Sequence, residues 1–193
     1  MWRHIAPAFK IMIALTILTG FIYPGVMTGL CQVFFHHQAN GSMIRDGGRI
    51  IGSSLIGQNF SGPKYFHPRP SAAGANGYDP LASGGSNLGP TSRALYRRVQ
   101  AGVRRFRKEN PSYEGSIPAD MVTASASGLD PDISPASAFA QARRIATARR
   151  VGLRRLRRLI RHHIEGRQFG FLGEPRVNVL EINLALDRDF PRR

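Results

Sequence analysis

The longest hydrophobic segment of the chain lies near its beginning. Residues 11–35 form a run of 25 residues without a charged side chain. At about 1.5 Å per residue, a helix of this length exceeds the roughly 30 Å of a bilayer's hydrocarbon core. The pattern therefore predicts one transmembrane helix over residues 11–35. Pro24, with Gly20, Gly25 and Gly29, predicts either a kink in this helix or close packing against another transmembrane helix.

Two other interpretations of this segment fit the sequence less well. A cleaved signal peptide has an apolar stretch of about 7 to 15 residues and a small-residue cleavage site, and residues 11–35 match neither feature. A lipid-modified cysteine normally follows a small residue, whereas Cys31 follows Leu30. Because Cys31 is the single cysteine, an internal disulfide and a cysteine-based zinc site are also excluded.

Basic residues around the apolar run predict its orientation. Arg3 and Lys10 precede it, and the first lysine or arginine after it is Arg45. Positive charge favours the cytoplasmic side, so we expect residues 1–10 in the cytoplasm. We expect residues 36–193 to form one extracytoplasmic domain, because long domains cross a membrane largely regardless of their charge.

After the apolar run, a short structured segment is followed by a long irregular one. Residues 49–60 mix β-branched and apolar residues with glycine, which predicts a strand or one arm of a hairpin. In residues 61–92, 18 of 32 positions are Gly, Pro, Ser or Asn. Loops of this length are usually functional or disordered. The embedded aromatic residues Tyr65, Phe66 and Tyr78 favour an ordered surface.

Three segments have the apolar spacing of amphipathic helices. The first covers residues 92–109, with Ser92 as its N-cap. The second starts at Ser134, which caps it, and Pro135 takes its first helical position. The third is expected to end at Gly166. Its apolar positions are Leu153, Leu156, Ile160 and Ile164.

The last structured segment, residues 176–187, alternates between two faces in its first half and is more uniformly apolar in its second. A buried strand and a strand that continues into a helix both fit this pattern, and we predict a strand. Together these segments predict an α+β fold. It consists of a single N-terminal transmembrane helix followed by one mixed α+β extracytoplasmic domain.

The chain is strongly basic, with 27 Lys and Arg against 12 Asp and Glu and a formal net charge of +15. Residues 143–167 contain ten arginines and one acidic residue, Glu165. This composition fits a solvated face, an anionic lipid surface or an acidic partner. Nucleic acid is not expected, because the domain is predicted outside the cytoplasm and no aromatic platform accompanies the arginines.

The sequence contains no complete motif for catalysis, metal binding or nucleotide binding. The histidine pairs at 36–37 and 162–163 are adjacent, so one helix face cannot present both rings of a pair to a metal. There is no Gly-x-Ser-x-Gly elbow, no P-loop and no dinucleotide fingerprint. We therefore expect no catalytic residue and no metal. Two classes remain open: an accessory subunit of a membrane complex and a stand-alone enzyme at the cell surface.

Several short motifs, in their order and spacing, resemble the C subunit of the bacterial Kdp potassium-transporting P-type ATPase. They are TG at 19–20, YP at 23–24, QANGS at 38–42, GQNF at 57–60, YFH at 65–67, RPS at 69–71, ASGGSNL at 82–88, VTASASGLD at 122–130, ISP at 133–135 and NLALD at 183–187. The resemblance covers nearly the whole chain.

The resemblance implies a non-catalytic subunit of a complex in the bacterial inner membrane. The implied partners are a channel-like potassium-binding subunit and an ATP-hydrolysing pump subunit. Members of this family are described as assembly factors or catalytic chaperones that raise the affinity of the pump subunit for ATP. ATP, shared with the pump subunit, is thus the implied cofactor, and Gln141 stands at the family's glutamine position for contact with the nucleotide.

The expected topology conflicts with this contact, because cytoplasmic ATP does not reach a residue outside the membrane. We give the topology more weight and expect the domain to cap the potassium entrance and hold the complex together through two loops, residues 61–92 and 123–130. The candidate docking residues are Gln58, Asn59, Phe60, Arg69, Ser71, Ser83, Gly84, Gly85, Ser86, Asn87, Thr123, Ser125, Ser127, Gly128 and Asp130.

The alternative to the family resemblance is a membrane-anchored cell-surface protein that binds an acidic partner or anionic lipid. The arginine density of residues 143–167 departs from the common family pattern. A positive face beside a potassium entrance would repel the transported ion. We therefore expect this face to point to lipid headgroups or to an acidic partner surface.

Overall fold

A computed structural model describes residues 2–191 of the 193-residue chain. The chain divides into two compact units, Met1–Ser53 and Ser54–Arg193. Helices and two small antiparallel sheets make up its regular structure. The α+β class predicted from the sequence is confirmed.

The first unit begins with a long apolar helix. Helix α1 (Trp2–Ile17), a π-helical turn (Leu18–Ile22) and helix α2 (Tyr23–Phe34) follow one another without a break. The most apolar stretch of Arg3–Phe34 has a mean hydropathy of 2.0, and none of it is buried. Its 32 residues are long and apolar enough to cross a membrane, in agreement with the sequence pattern.

The π-helical turn ends two residues before Pro24. Proline has no N–H to donate, and its ring crowds the carbonyl four residues earlier, that of Gly20. The helix widens at this point, and the N–H of Tyr23 donates to the carbonyl of Leu18, five residues back. The irregularity expected at Pro24 therefore takes the form of a π-bulge.

The first unit ends in a β-hairpin. After a short helix, α3 (His36–Ala39), strand β1 (Met43–Asp46) pairs antiparallel with strand β2 (Arg49–Ser53). Gly47 and Gly48 join the strands with φ angles of +55° and +82°. Two consecutive positive φ angles are typical of a type I′ turn, which glycine adopts without strain.

The hairpin arm predicted for residues 49–60 is confirmed for Arg49–Ser53, and the prediction is wrong for residues 54–60, which are irregular. The backbone of these residues is bonded elsewhere: the N–H of Gly57 donates to the carbonyl of Leu129 at 2.8 Å. A Cβ at Gly57 would lie 2.6 Å from the carbonyl oxygen of Asp130. This close approach between two loops therefore requires glycine.

The second unit is built on four helices and a minimal sheet. Its helices are α4 (Arg93–Glu109), α5 (Pro135–Arg149), α6 (Leu153–His162) and α7 (Val179–Asp189). Strand β3 (Asp132–Ile133) leads into α5 and pairs antiparallel with β4 (Val177–Asn178), which leads into α7. Short 3₁₀ turns occur at Pro80–Ala82 and Ala119–Met121. The largest core side chains include Phe66, Phe106, Ile133, Ile145, Leu156, Ile160, Ile182 and Leu186.

The starts of α4 and α5 confirm the capping predicted from the sequence. The Oγ of Ser92 accepts the N–H of Leu95 at 3.5 Å. The Oγ of Ser134 accepts the N–H of Ser137 at 3.1 Å, and Pro135 occupies the first helical position. These residues satisfy N–H groups that the helix itself leaves unpaired.

The strand predicted for residues 176–187 is wrong, because only Val177–Asn178 is a strand and helix α7 follows it at once. Asn178 caps this helix, since its Oδ1 accepts the N–H of Glu181 at 3.1 Å. The buried residues then recur at helical spacing, at Val179, Ile182, Asn183 and Leu186. A short apolar run fits the two-residue period of a strand and the period of a helix. The cap at Asn178 favours the helix here.

The helix predicted to carry Ile164 ends earlier, at His162. Gly166 therefore does not cap it. The backbone of Glu165 is already bonded to Arg176, with N···O distances of 2.9 and 3.0 Å. This pairing takes the chain out of the helix before Ile164 can extend it.

We expect Ile182→Ala to lower the free energy of unfolding by about 2–5 kcal/mol, the usual cost of a cavity in a core. Ile182 is 0% exposed, and urea denaturation followed by circular dichroism measures the loss. Leu184→Ala is the matched control. In a helix Leu184 lies off the buried face, so its loss is smaller, whereas a strand would place both residues on one face and make the losses equal.

Candidate functional site

Two buried carboxamides hold the backbone of the long irregular segment. Gln141 on α5 accepts the N–H of His67 at 2.8 Å through Oε1 and donates to the His67 carbonyl at 3.1 Å through Nε2. Asn183 on α7 bonds the N–H and carbonyl of Phe66 in the same way, at 2.8 and 3.0 Å. The two side chains are 0% and 1% exposed. Two consecutive residues are thus fully hydrogen-bonded without a neighbouring strand.

Arg144, one turn beyond Gln141 on α5, extends this anchoring. Its Nη2 donates to Oε1 of Gln141 at 2.6 Å and to the carbonyl of Tyr65 at 3.0 Å. Its Nη1 donates to the carbonyl of Pro63 at 2.7 Å. Burial lowers the pKa of Arg144 to about 10, so the guanidinium remains charged at neutral pH and its hydrogen bonds are charge-assisted.

Arg149, at the end of α5, holds the start of the same segment. Its Nε donates to the carbonyl of Lys64 at 2.8 Å, and its Nη2 to Oδ1 of Asp187 at 2.7 Å. The guanidinium lies over the ring of Tyr65, 5.0 Å from its centroid. Two arginines of the basic segment, Arg144 and Arg149, therefore serve the interior of the fold rather than a solvated face.

The two loops predicted as a docking surface, residues 61–92 and 123–130, pack against each other and are called the loop surface below. Ser83 Oγ and the N–H of Gly84 donate to the carbonyl of Ser127 at 3.0 and 2.8 Å. Ser71 Oγ donates to the carbonyl of Gly128 at 2.6 Å. At Gly128, where φ is +68°, a Cβ would lie 2.7 Å from the carbonyl oxygen of Gly84.

An ion pair joins the two loops at their other end. Arg69 Nη1 lies 2.7 Å from Asp130 Oδ2, and each side chain is about one quarter exposed. The hydroxyl of Tyr78 donates to the carbonyl of Arg69 at 2.7 Å. Burial, with the nearby charge of Asp130, raises the pKa of Tyr78 well above its ordinary value. The phenol therefore stays a neutral donor in this contact.

The fifteen predicted docking residues divide by exposure. Ser125 and Gly128 are buried and serve the packing of the loops themselves. The others are exposed or half-buried and are able to face a partner: Gln58, Asn59, Phe60, Arg69, Ser71, Ser83, Gly84, Gly85, Ser86, Asn87, Thr123, Ser127 and Asp130.

A cavity of about 380 Å³ lies between α4 and the loop surface. Its wall includes Arg69, Arg98 and Arg105, together with His67 and Glu109. His67 Nδ1 donates to Glu109 Oε2 at 3.2 Å, and this hydrogen bond lowers the pKa of Glu109. The cavity therefore carries an excess of positive charge.

Helix α4 borders this cavity, although none of its residues is among the predicted docking residues. Its basic residues recur along one amphipathic helix, and this signal was available in the sequence. The sequence does not indicate the contact of Arg98 Nη2 with the carbonyl of Ser71, at 3.0 Å. It joins positions 27 residues apart.

Asp132 lies on β3, next to the loop surface. Its Oδ2 is 3.2 Å from Nε of Arg176. Burial raises the pKa of Asp132 to about 6, and the negative charges of Asp130, Glu165 and Glu181 act in the same direction. The attraction of Arg176 opposes these effects without cancelling them.

Across residues 2–191, no group of three or more His, Cys, Asp or Glu side chains is arranged to hold a metal ion. The arrangement instead supplies a rigid, irregular surface beside a basic cavity. Such a surface suits recognition of another molecule.

Comparison with known proteins gives the family. The model of the KdpC family, described as "K+-transporting ATPase, c chain", matches residues 5–188. The chain belongs to the KdpC family. The resemblance seen in the short sequence motifs is therefore confirmed.

Curated relatives with the name "Potassium-transporting ATPase KdpC subunit" match the chain along nearly its whole length. The protein of Myxococcus xanthus is 54% identical over 191 residues, which cover 98% of this chain and 90% of the relative. The protein of Rhodospirillum rubrum is 54% identical over 191 residues, covering 99% and 98%. The protein of Mycobacterium bovis is 50% identical over 190 residues, covering 97% and 100%.

Gln141, which the KdpC resemblance associates with nucleotide, lies inside the folded unit. Besides its bonds to His67 and Arg144, its Nε2 is 3.6 Å from Sδ of Met121. Its amide oxygen and nitrogen are therefore both engaged within the chain.

We expect Gln141→Ala to lower the free energy of unfolding by about 2–4 kcal/mol, because it leaves a buried N–H and a buried carbonyl of His67 without partners. Thermal or urea unfolding measures this loss. Gln100→Ala, at an exposed position of α4, is the control and should change stability by less than about 0.5 kcal/mol. Equal stability of the two variants would show that the carboxamide does not hold the segment.

The raised pKa of Asp132 predicts that the stability of the fold depends on pH. Its pKa of about 6 in the folded chain exceeds the ordinary value of about 3.9, so between these values the folded state binds more protons. The contribution of Asp132 to the free energy of unfolding should therefore fall as pH rises from about 4 to about 6, by on the order of 1–3 kcal/mol. Denaturation at several pH values across this range should show a shallower fall in the free energy of unfolding for Asp132→Asn than for the unmodified chain. An unchanged slope would contradict the assignment.

Proposed function

We propose that this chain is a non-catalytic subunit of an ATP-driven, high-affinity potassium uptake complex and that it stabilises assembly of its partner subunits. Membership of the KdpC family and the names of the relatives support this role. The observation that carries the proposal is the loop surface, whose irregular backbone is fixed from within by Gln141, Asn183, Arg144 and Arg149.

Rigidity is the property that makes this surface suitable for docking. Association costs free energy when loops and side chains must be ordered at the interface. Here the hydrogen bonds of Ser71, Ser83 and Gly84 to the second loop order the backbone before any partner arrives. Exposed residues such as Asn87 and Ser127 are then presented in fixed positions.

In this proposal the helix of α1 and α2 spans the bacterial inner membrane, with residues 1–10 in the cytoplasm and the folded unit outside. The 32-residue apolar helix supports the span, and Arg3 and Lys10 support the orientation. The loop surface then docks on a channel-like potassium-binding subunit, beside the route by which potassium enters, and the same chain contacts an ATP-hydrolysing pump subunit.

In this proposal the chain raises the affinity of the pump subunit for ATP through assembly of the complex. Gln141 does not contact the nucleotide. Its carboxamide is 0% exposed and already bonded to His67 and Arg144. A nucleotide would have to break these bonds, at the cost of unsatisfied buried groups. In this proposal ATP is the ligand of the pump subunit, and the chain raises its affinity by holding the complex in a competent arrangement.

Substitution of Ala126 tests the docking role. Ala126 is exposed within the loop surface, so Ala126→Arg adds a long charged side chain without disturbing the core. We expect at least about a tenfold weaker association with the two large subunits, which corresponds to about 1.4 kcal/mol. Co-purification from native membranes and the half-saturating potassium concentration of uptake measure the effect.

Ala136→Arg is the matched control for this experiment, since Ala136 is equally an exposed alanine but lies in the first turn of α5. It should co-purify like the unmodified chain. The half-saturating ATP concentration should rise in Ala126→Arg complexes alone. If both variants assemble and respond to ATP alike, the loop surface is not the docking site.

A further inference from the structure

A hairpin follows α6 directly and carries apolar side chains at its tip. Residues 165–176 form this hairpin. Glu165 and Arg176 exchange backbone hydrogen bonds at 2.9 and 3.0 Å, and the N–H of Gln168 donates to the carbonyl of Leu172 at 2.9 Å. The backbone of the tip, residues 168–172, is thus fixed by pairing rather than by burial.

The tip exposes large apolar side chains to solvent. Phe169 is 87% exposed, Phe171 69% and Leu172 48%. Phe169 also has a φ of +52°, a conformation that a bulky side chain rarely adopts. Neighbouring large apolar groups held in water are unfavourable unless another apolar phase receives them.

Helix α6, which precedes this hairpin in the chain, has a uniformly basic exposed face. Its buried side is formed by Leu156, Leu159 and Ile160. Within the described part of the chain, none of the exposed arginines on its other side lies in an ion pair with a carboxylate. These exposed arginines are Arg154, Arg155, Arg157, Arg158 and Arg161.

The basic face and the apolar tip are close along the chain. The tip starts six residues after His162, the last residue of α6. A fully extended chain of that length spans about 20 Å, so both features can meet one surface.

We propose that α6 and the tip together bind the surface of a bilayer that contains anionic phospholipid. Guanidinium groups bind phosphate through paired hydrogen bonds. Aromatic and aliphatic side chains enter the boundary between headgroups and acyl chains. The arginines of α6 contact the headgroup phosphates, while Phe169, Phe171 and Leu172 insert at that boundary.

A lipid surface fits these features better than an acidic protein. A bilayer offers negative charge and an apolar interior side by side, which is the combination that the arginines and the tip require. The inference rests on the proposed function in one respect, the membrane anchor. An anchored chain meets lipid at high effective concentration, so each surface contact needs only modest strength.

The test uses the full-length chain with one reporter at the tip. Trp2 is the single tryptophan, so the double variant Trp2→Phe, Phe171→Trp carries its only indole there. The chain is reconstituted in phosphatidylcholine vesicles with or without about 30% phosphatidylglycerol, and acyl-chain-brominated phosphatidylcholine serves as the quencher. We expect quenching to be at least about twofold stronger with the anionic lipid, because each basic residue near such a surface adds attraction.

Charge variants of the reporter chain identify the responsible face. Replacing Arg154, Arg157, Arg158 and Arg161 by Gln should remove the gain given by phosphatidylglycerol. The matched control replaces four exposed arginines of α4 by Gln and should keep the gain. These are Arg93, Arg97, Arg104 and Arg107.

Three results would overturn the inference: equal quenching in both vesicle types, equal effects of the two sets of arginine variants, or an indole that is shielded only when the two large subunits are added. The last result would identify a protein as the occupant of the tip. Retention of the chain in vesicles after an alkaline wash, with no quenching, would reject this inference and leave the anchor of the proposed function intact.

Discussion

The backbone of Phe66 and His67 crosses the interior of the second unit with no strand beside it, and two carboxamides supply its four hydrogen bonds. Buried peptide groups without partners are among the most costly defects a fold can contain. Because Gln141 and Asn183 belong to different helices and bind adjacent residues, they also fix α5 and α7 relative to one segment. The architecture of this unit depends on that arrangement.

The loop surface owes its order to the same arrangement. A segment so rich in glycine, proline and serine has little local preference of its own, and arginine side chains from α5 replace the missing ladder of backbone bonds. Close approaches that admit no Cβ, at Gly57 and Gly128, then bring the second loop into register with the first. An irregular surface of this kind is as well defined as a sheet, while its outward side chains remain available for contact.

Features set by neighbouring residues, such as helix caps, could be predicted from the sequence. Contacts between residues far apart in the chain could not. Ser92 and Ser134 lie beside the helices that they cap, so α4 and α5 could be predicted. The run that contains α7 fits the period of a strand and that of a helix, and in the sequence Asn178 suits a strand position as well as a helix cap. Gln141 and His67 are 74 residues apart, and Asn183 and Phe66 are 117 apart. Nothing in the local pattern pairs them, so Gln141 could be singled out only by family resemblance.

The sequence separation of these contacts also has a kinetic consequence. Closing loops of this length is slow, because their entropy is lost before the contacts form. Chains are synthesised from the N-terminus, and α7 is the last helix of the second unit to emerge. Until it folds, half of the support for Phe66 and His67 is missing. A nascent chain therefore cannot order the loop surface early, and the order of this surface is coupled to the completion of the chain's own fold.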